Sequence, residues 1–409
     1  MANTFSTQQI FAAEVAAIIE ESCPFLMGIN RAREKEFAKA PNGFKIGNSV
    51  KVMIPGIGPV YDGVVLAGGG AVADWQEKQV DLSIDTQKHT AVNVTADEAV
   101  FKLDATDPRR KDYRERVMKP QMSSLCATIE ADLIRRAVLA TPNLVGTPGT
   151  VPSTMKIFTQ ARGKLQKALA PASPRDQLIS TDVNAELIDS SKQLFNPQAD
   201  ISKMYRESYI GRANQADWHE CVNLPTLTNG NKVTGVTVSG ASQTGTSLLV
   251  GGLAAADTFK KGQIFTIAGV YQTHPLTGDI YPDLQQFVVT ADVTSAGTTV
   301  SIPIYPAITP AMPNKTVNAS PANSAALTFV GAAGLSYINN LLFQRDAFTA
   351  AFTAPPVVAG SEGYQFDDNG IRFTVQTGGD FSNLSSATRI DAWYGFAAVR
   401  GIHAARIAQ

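Results

Sequence analysis

The sequence is short of the residues that perform redox, metal and nucleophile chemistry. Three cysteines (Cys23, Cys126, Cys221) and four histidines (His89, His219, His274, His403) are scattered through 409 residues. The cysteines are odd in number and lack metal-ligand spacing. They predict reduced thiols in a protein assembled in a cytosol, with no disulfide framework. His219 and Cys221 are the nearest mixed pair, and no second pair matches them. No Gly-x-Ser-x-Gly elbow occurs among the many serines. Gly68–Gly70 is followed by no Lys-Ser/Thr, so it is not a phosphate loop. Asp367–Gly370 lacks the ligand ladder and closing Glu of a calcium hand, and reads as a turn before the next strand. The reading is therefore of no catalytic set, no metal and no cofactor, and not of an enzyme.

Charge of either sign is also scarce. The formal net charge is −1, so the whole chain offers no field that would attract nucleic acid. No apolar run approaches the roughly 18 residues of a membrane span. At the N-terminus no basic region precedes the apolar run, which Glu14, Glu20 and Glu21 interrupt, so neither a signal peptide nor membrane contact is expected. Charge is thinnest from Thr226 to Val330, which contains no Arg, no Glu and only eight charged residues. Short β-branched and aromatic runs stand there between Gly, Pro and Ser turns: Gly235–Val238, Ser247–Val250, Gln263–Ile267, Gln286–Ala291 and Thr299–Ile304. That pattern predicts a small all-β barrel or sandwich. The flanks look α+β, so this stretch reads as an inserted domain.

The most conspicuous element present is a long helix. Asp107 is a good N-cap and Pro108 suits a first turn. Met118, Met122, Leu125, Ile129 and Leu133 then form one apolar face. A helix over 108–139 would be about 48 Å long, and Pro120 inside it predicts a kink or break. Its Arg109–Arg116 cluster is interleaved with Asp112 and Glu115, as on a solvated, ion-paired face. An amphipathic helix is expected over 6–22, with Ser6 and Gln9 as a capping box and with Glu14 and Glu21 on a face apart from its apolar stripe. Further helices are expected over Ser153–Ala170 and from Thr181 or Asp182 to about Leu194, and Phe195–Trp218 reads as helix and loop. Strands are expected at Ser49–Ile54, Val60–Leu66, Val80–Asp85 with Thr90–Val94, and Leu178–Ser180. Tyr337–Gln344 fits helix or strand, with Ala347–Phe352 continuing it. Alternation marks strands at Ile371–Val375 and Ile390–Tyr394.

Several stretches carry a resemblance: Val80–Asp85 running into Lys88–Val92, Phe195–Asp200, Gln344–Phe348, Gly379–Asn383 and Arg389–Gly395, with Phe259–Gly262 and Phe265–Val270 in the charge-poor region. In this order the chain resembles the major capsid (coat) proteins of P22-like tailed bacteriophages, whose fold is of the HK97 type. The resemblance implies an N-terminal arm (1–48), an extended E-loop region (49–78), a peripheral domain with a spine helix (79–140), an axial domain in two parts (141–225 and 331–409, the latter with the closing strands) and an inserted all-β domain (226–330). It implies a subunit that self-assembles into hexamers and pentamers of an icosahedral head. The implied partners are a scaffolding protein and a portal protein. Double-stranded DNA would be enclosed without sequence-specific binding. The protein would reside in the virion after assembly in the host cytoplasm. Glu14 and Glu21 are candidate contacts for a basic partner, and Tyr271, Asp279 and Asp283 lie in a loop that could reach a neighbour. Two alternatives stay open on sequence: an HK97-fold nanocompartment shell, and a glycan-binding or adhesion protein built on the Thr/Ser/Gly-rich β region.

Overall fold

A computed structural model describes residues 24–32, 49–56, 77–95, 118–190, 211–312, 314–368, 371–380 and 382–409. Among these, strands dominate and four α-helices occur: α1 (Pro24–Gly28), α2 (Lys119–Ala140), α3 (Met155–Lys167) and α4 (Thr181–Ser190). The α+β reading is thus corrected towards a mostly β molecule. Charge-poor, β-branched sequence builds more sheet than the helical periodicities suggested. No helix among the described residues is long and apolar enough to cross a membrane. The described residues fall into two compact units. One is drawn from Met1–Val52, Val80–Leu133 and Phe348–Ala397, the other from Met53–Gln79, Ile134–Ala347 and Ala398–Gln409.

The first unit is built on a six-stranded sheet. Its path runs Ser49–Ile54, Lys78–Thr95, Ser385–Ala398, Ile371–Asp380, Glu362–Asp368, and Phe348–Thr353 pairs with Ser385–Ala398 off that path. Val80–Asp85 and Thr90–Val94 are one continuous strand, Lys78–Thr95. Asp367 and Asp368 end a strand, and Asp368 stands opposite Ile371, so the chain reverses just before the Ile371 strand, where the turn was expected. The expected apolar face of α2 is inward: Met118, Met122, Leu125, Ile129 and Leu133 are all buried. So are Cys126, Glu130, Ile134 and Ala137, which makes α2 a core helix as well as an amphipathic one. Pro120 follows Met118, which is in π-helical geometry, and the residues before 118 that would decide the expected kink or break lie outside the described residues. The segment 101–117, with Asp107 and the Arg cluster, lies outside the described residues. The buried Glu130 carboxylate accepts the Phe25 N–H at 3.0 Å, at the N-terminal end of α1, where negative charge is favoured. That bond and the buried Phe25, Leu26 and Ile29 fasten residues 24–30 to this unit.

The second unit holds a seven-stranded sheet and a barrel. The sheet runs Asn143–Val145, Ala404–Ala408, Ser336–Gln344, Arg175–Ile179, Ala216–Glu220, Arg212–Ala213, and Thr226–Thr228 pairs with Ser336–Gln344 off that path. Tyr337–Gln344 is therefore strand. Phe348–Thr353 does not continue it: a 3-10 turn at Arg345–Ala347 intervenes and the next strand joins the other unit's sheet. Arg212–Ala213 and Ala216–Glu220 are strands where helix and loop were expected up to Trp218. Phe158, Ala161 and Leu165 of α3 pack with Trp218, Leu342 and Ile407 over this sheet. Helix α4 starts at Thr181, but the cap is Ser180, whose Oγ accepts the Val183 N–H at 3.3 Å.

The charge-poor region forms a six-stranded ladder in the order Leu327–Phe329, Ile264–Thr273, Ile280–Val289, Thr299–Ile308, Gly245–Gly251, Thr237–Val238. Its two end strands meet. Val238 N–H donates to Ala325 O and Leu327 N–H to Val236 O, each at 2.9 Å. The ladder therefore closes into a barrel, which leaves no open edge. Its interior is Val238, Leu248, Val250, Phe265, Phe287 and Ile302 with their neighbours, the inward half of each alternating strand. Two polar links fix the barrel within the unit. The Gln286 amide pairs like a strand residue with both backbone groups of Leu144, at 2.9 Å each. Arg406 joins Thr141 O to Gly262 O.

Candidate assembly surface

The sequence reading expects a subunit that acts through its surface, so the groups of interest are those left exposed on rigid supports. The barrel's hairpin of Ile264–Thr273 and Ile280–Val289 carries such a tip. His274 Nδ1 accepts the N–H groups of Leu276 (3.3 Å) and Thr277 (3.1 Å), and His274 N–H donates to Asp279 O at 2.7 Å. Thr277 Oγ1 donates to Asp279 Oδ2 at 2.6 Å. Lys315 Nζ donates to Gly278 O at 3.1 Å. The loop is thereby fixed internally, yet it leaves Leu276 51% and Ile280 60% exposed. Single exposed apolar residues are ordinary. Here two share one braced tip and form a small exposed apolar patch.

The sequence-predicted residues fall as follows. Tyr271 is exposed on the hairpin, its N–H bonded to Asn318 Oδ1 at 2.7 Å. Asp279 is exposed at the tip. Asp283, half-exposed, is instead ion-paired with Lys167 of α3. The bond from Lys167 holds the Asp283 carboxyl below the ordinary carboxylate range against the opposing effect of burial, with help from Lys164. Glu14 and Glu21 lie outside the described residues. The structure thus brings Tyr271 and Asp279 onto one hairpin and turns Asp283 to an internal partner. Leu276 and Ile280 escaped the sequence reading because an apolar residue in a short loop gives no signal of exposure.

Much of the barrel's sparse charge is neutralised at home. Lys232 pairs with Asp257 at 3.4 Å and Lys260 with Asp292 at 3.3 Å. The surface that remains is polar but largely uncharged. Among the described residues no cluster of His, Cys, Asp or Glu could hold a metal ion. Cys126 and Cys221 are buried thiols, and burial, with Glu130 nearby, pushes the Cys126 thiol up to about 12, away from the reactive thiolate.

One buried histidine ties stability to pH. Burial, then the charge of Arg400, holds the His403 imidazole at about 4, against an ordinary 6.5. Arg175 adds to this, while a bond to Ala168 and the charge of Asp346 oppose it. Between those two values the unfolded chain takes up a proton that the folded chain refuses. Stability should therefore fall as pH drops from about 6.5 and level off below about 4, by at most about 3 kcal/mol. Urea melts at pH 7, 5.5 and 4.5 would read this, and His403→Gln should flatten the slope. An equal slope in both proteins would refute it.

Comparison with known proteins agrees with this architecture. Residues 228–404 match the family model described as P22 coat protein, gene protein 5. A structure from Mycobacterium phage Che8 aligns with a TM-score of 0.50 at 14% identity, covering 94% of this chain and 91% of the other. The capsid of cyanophage P-SCSP1u aligns at 0.43 and 12% identity over 88% and 83%. The virus-like particle from Pyrococcus furiosus aligns at 0.38 and 8% identity over 98% of each chain. No curated protein sequence matches. The chain shares the HK97-type fold of these structures. Within that fold, the stretch 228–404, somewhat less than half of the chain, is similar to the P22 coat protein family.

Proposed function

We propose that this subunit builds the head as hexamers and pentamers around double-stranded DNA, with a scaffolding protein during assembly in the host cytoplasm and a portal at one vertex. In this reading residues 1–48 are the arm, 49–78 the E-loop, 79–140 the peripheral domain with α2 in its spine, 141–225 and 331–409 the axial domain, and 226–330 the insertion. The closed barrel core supports the last of these. The observation that carries the assembly reading is the braced, apolar hairpin tip, which adds contact area without enlarging any core. Neighbours would meet Tyr271 and Asp279 there together with Leu276 and Ile280, and Asp283 would hold the hairpin's stem through Lys167. Expression with and without the neighbouring genes, followed by negative-stain microscopy, tests the whole reading. Closed polyhedral shells are expected, and a strict monomer in every condition would overturn it.

Two narrower outcomes follow. Replacing Leu276 and Ile280 together by Ser should lower shell yield several-fold and leave the thermal midpoint of the unassembled subunit unchanged. An unaltered yield would remove the tip from the interface. Charge reversal at Glu14 and Glu21 should impair scaffold-dependent assembly, and normal heads from that variant would dismiss those residues as a contact for a basic partner.

A further inference from the structure

The histidine that braces the exposed hairpin tip can hold it in one charge state only. His274 directly follows the strand Ile264–Thr273. Its Nδ1 accepts two backbone donors, the Leu276 N–H at 3.3 Å and the Thr277 N–H at 3.1 Å. An imidazole accepts at Nδ1 only while that atom keeps its lone pair. The neutral tautomer with its hydrogen on Nε2 does so. The imidazolium carries a hydrogen on both nitrogens and accepts nothing. Protonation therefore turns the acceptor shared by two N–H groups into a third donor facing them. Imidazole is also the side chain whose charge ordinarily changes between pH 5 and 8.

The groups around His274 confine the effect to one corner. The Asp279 carboxylate already accepts Thr277 Oγ1 at 2.6 Å. Lys315, from the segment beside the tip, donates its Nζ to Gly278 O at 3.1 Å and has no acceptor to offer. The Tyr281 ring lies 6.1 Å from the imidazole, centroid to centroid, and Lys167 Nζ stands 5.5 Å from that same ring. The base of the tip is closed by backbone groups that do not titrate. Gly278 N–H donates to His274 O at 2.9 Å, and His274 N–H donates to Asp279 O at 2.7 Å. What depends on the charge of His274 is thus the Leu276–Thr277 corner, and Leu276 is half of the exposed apolar pair.

We propose that His274 is a pH-operated latch on the hairpin tip. Neutral, it holds the Leu276–Thr277 corner in the form that meets a neighbouring copy; protonated, it lets the corner go, so assembly through the tip weakens as pH falls from 7.5 to 5. The inference rests on the reading of the tip as an assembly contact and adds the regulation of that contact.

The test compares the full native chain with His274→Asn. Asparagine Oδ1 accepts N–H groups two and three residues further on, as His274 Nδ1 does, but does not titrate in this range. Site-resolved amide exchange of the unassembled subunit is read at pH 7.5 and 5.0, corrected for intrinsic exchange rates, and shell yield is read at the same two values. In the native chain the protection of Leu276 and Thr277 should fall about ten-fold at the lower pH, and shell yield several-fold. In His274→Asn both should hold. His403 is present in both chains, so its loss of stability at low pH is common to them. Unchanged protection in the native chain, an equal fall in His274→Asn, or a fall in protection with unchanged yield would overturn the latch and leave the tip reading standing. Full yield at pH 7.5 after replacing Leu276 and Ile280 by Ser would instead overturn the tip reading, and the latch with it.

Discussion

Arg406→Ala should destabilise the subunit by about 3–5 kcal/mol, as expected when a buried charged network loses its centre. Arg406 is 0% exposed and, among the described residues, its guanidinium bonds to carbonyls rather than to a carboxylate. Its Nε and Nη2 donate to Thr141 O at 2.8 and 2.5 Å, and Nη1 donates to Gly262 O at 2.8 Å. Thr141 directly follows α2, so the guanidinium sits at the negative end of that helix, whose last carbonyls lack intrahelical donors. Burial still lowers the Arg406 pKa, to about 10, which leaves it charged at any assembly pH. Truncation would orphan both carbonyls, open a cavity and unlink the barrel's Gly262 turn from the end of α2. Lysine keeps the charge but not the fork that serves two carbonyls at once, so Arg406→Lys should recover only part of the loss. Chemical denaturation of the unassembled subunit reads both. A loss below about 1 kcal/mol for the alanine variant would show that the buried charge costs as much as its bonds contribute.

Gly395→Ala is the second large effect expected. A Cβ at this position would lie 2.0 Å from Ser83 O and 2.7 Å from the Ser83 carbonyl carbon. These are backbone atoms of the partner strand and no rotamer change moves them. Gly395 pairs with Ile84, and the register then slips so that Tyr394 meets Thr86. The glycine therefore sits against a bulge, where two backbones approach most closely. Forcing the strands apart should cost about 3 kcal/mol and loosen the sheet around Leu82 and Val94. Gly379→Ala, on the neighbouring strand with nothing within 4 Å of its added Cβ, is the control and should change stability by less than about 0.5 kcal/mol. Equal melting temperatures for the two variants would contradict this account.

The sequence alone determined a good deal. The spacing of Met118, Leu125, Ile129 and Leu133 marked an inward helical face, because a 3.6-residue repeat of apolar groups has few other uses. Each strand expected between Thr226 and Val330 overlaps one in the barrel, since period-two alternation with turn residues is a local property. The motifs around Gly379–Asn383 and Arg389–Gly395 carried the resemblance to P22-like coat proteins. They now have physical content in the bonds of Asp380 to Ser382 and Asn383, the Arg389–Asp391 pair and the close approach at Gly395.

Tertiary structure decided the rest. Whether Tyr337–Gln344 was helix or strand depended on partners far away in sequence, Ala404–Ala408 and Arg175–Ile179, and no local propensity encodes those. Barrel closure rests on bonds between residues 236–238 and 325–327. Asp283 read as a free surface carboxylate, but Lys167, 116 positions away, engages it from within its own chain. Arg406 read as one more charge near the C-terminus. Only the convergence of Thr141 and Gly262 around it made it a buried tie. Sequence fixes what each segment can bury, whereas which polar groups remain for a neighbour is known only once the internal pairings are complete.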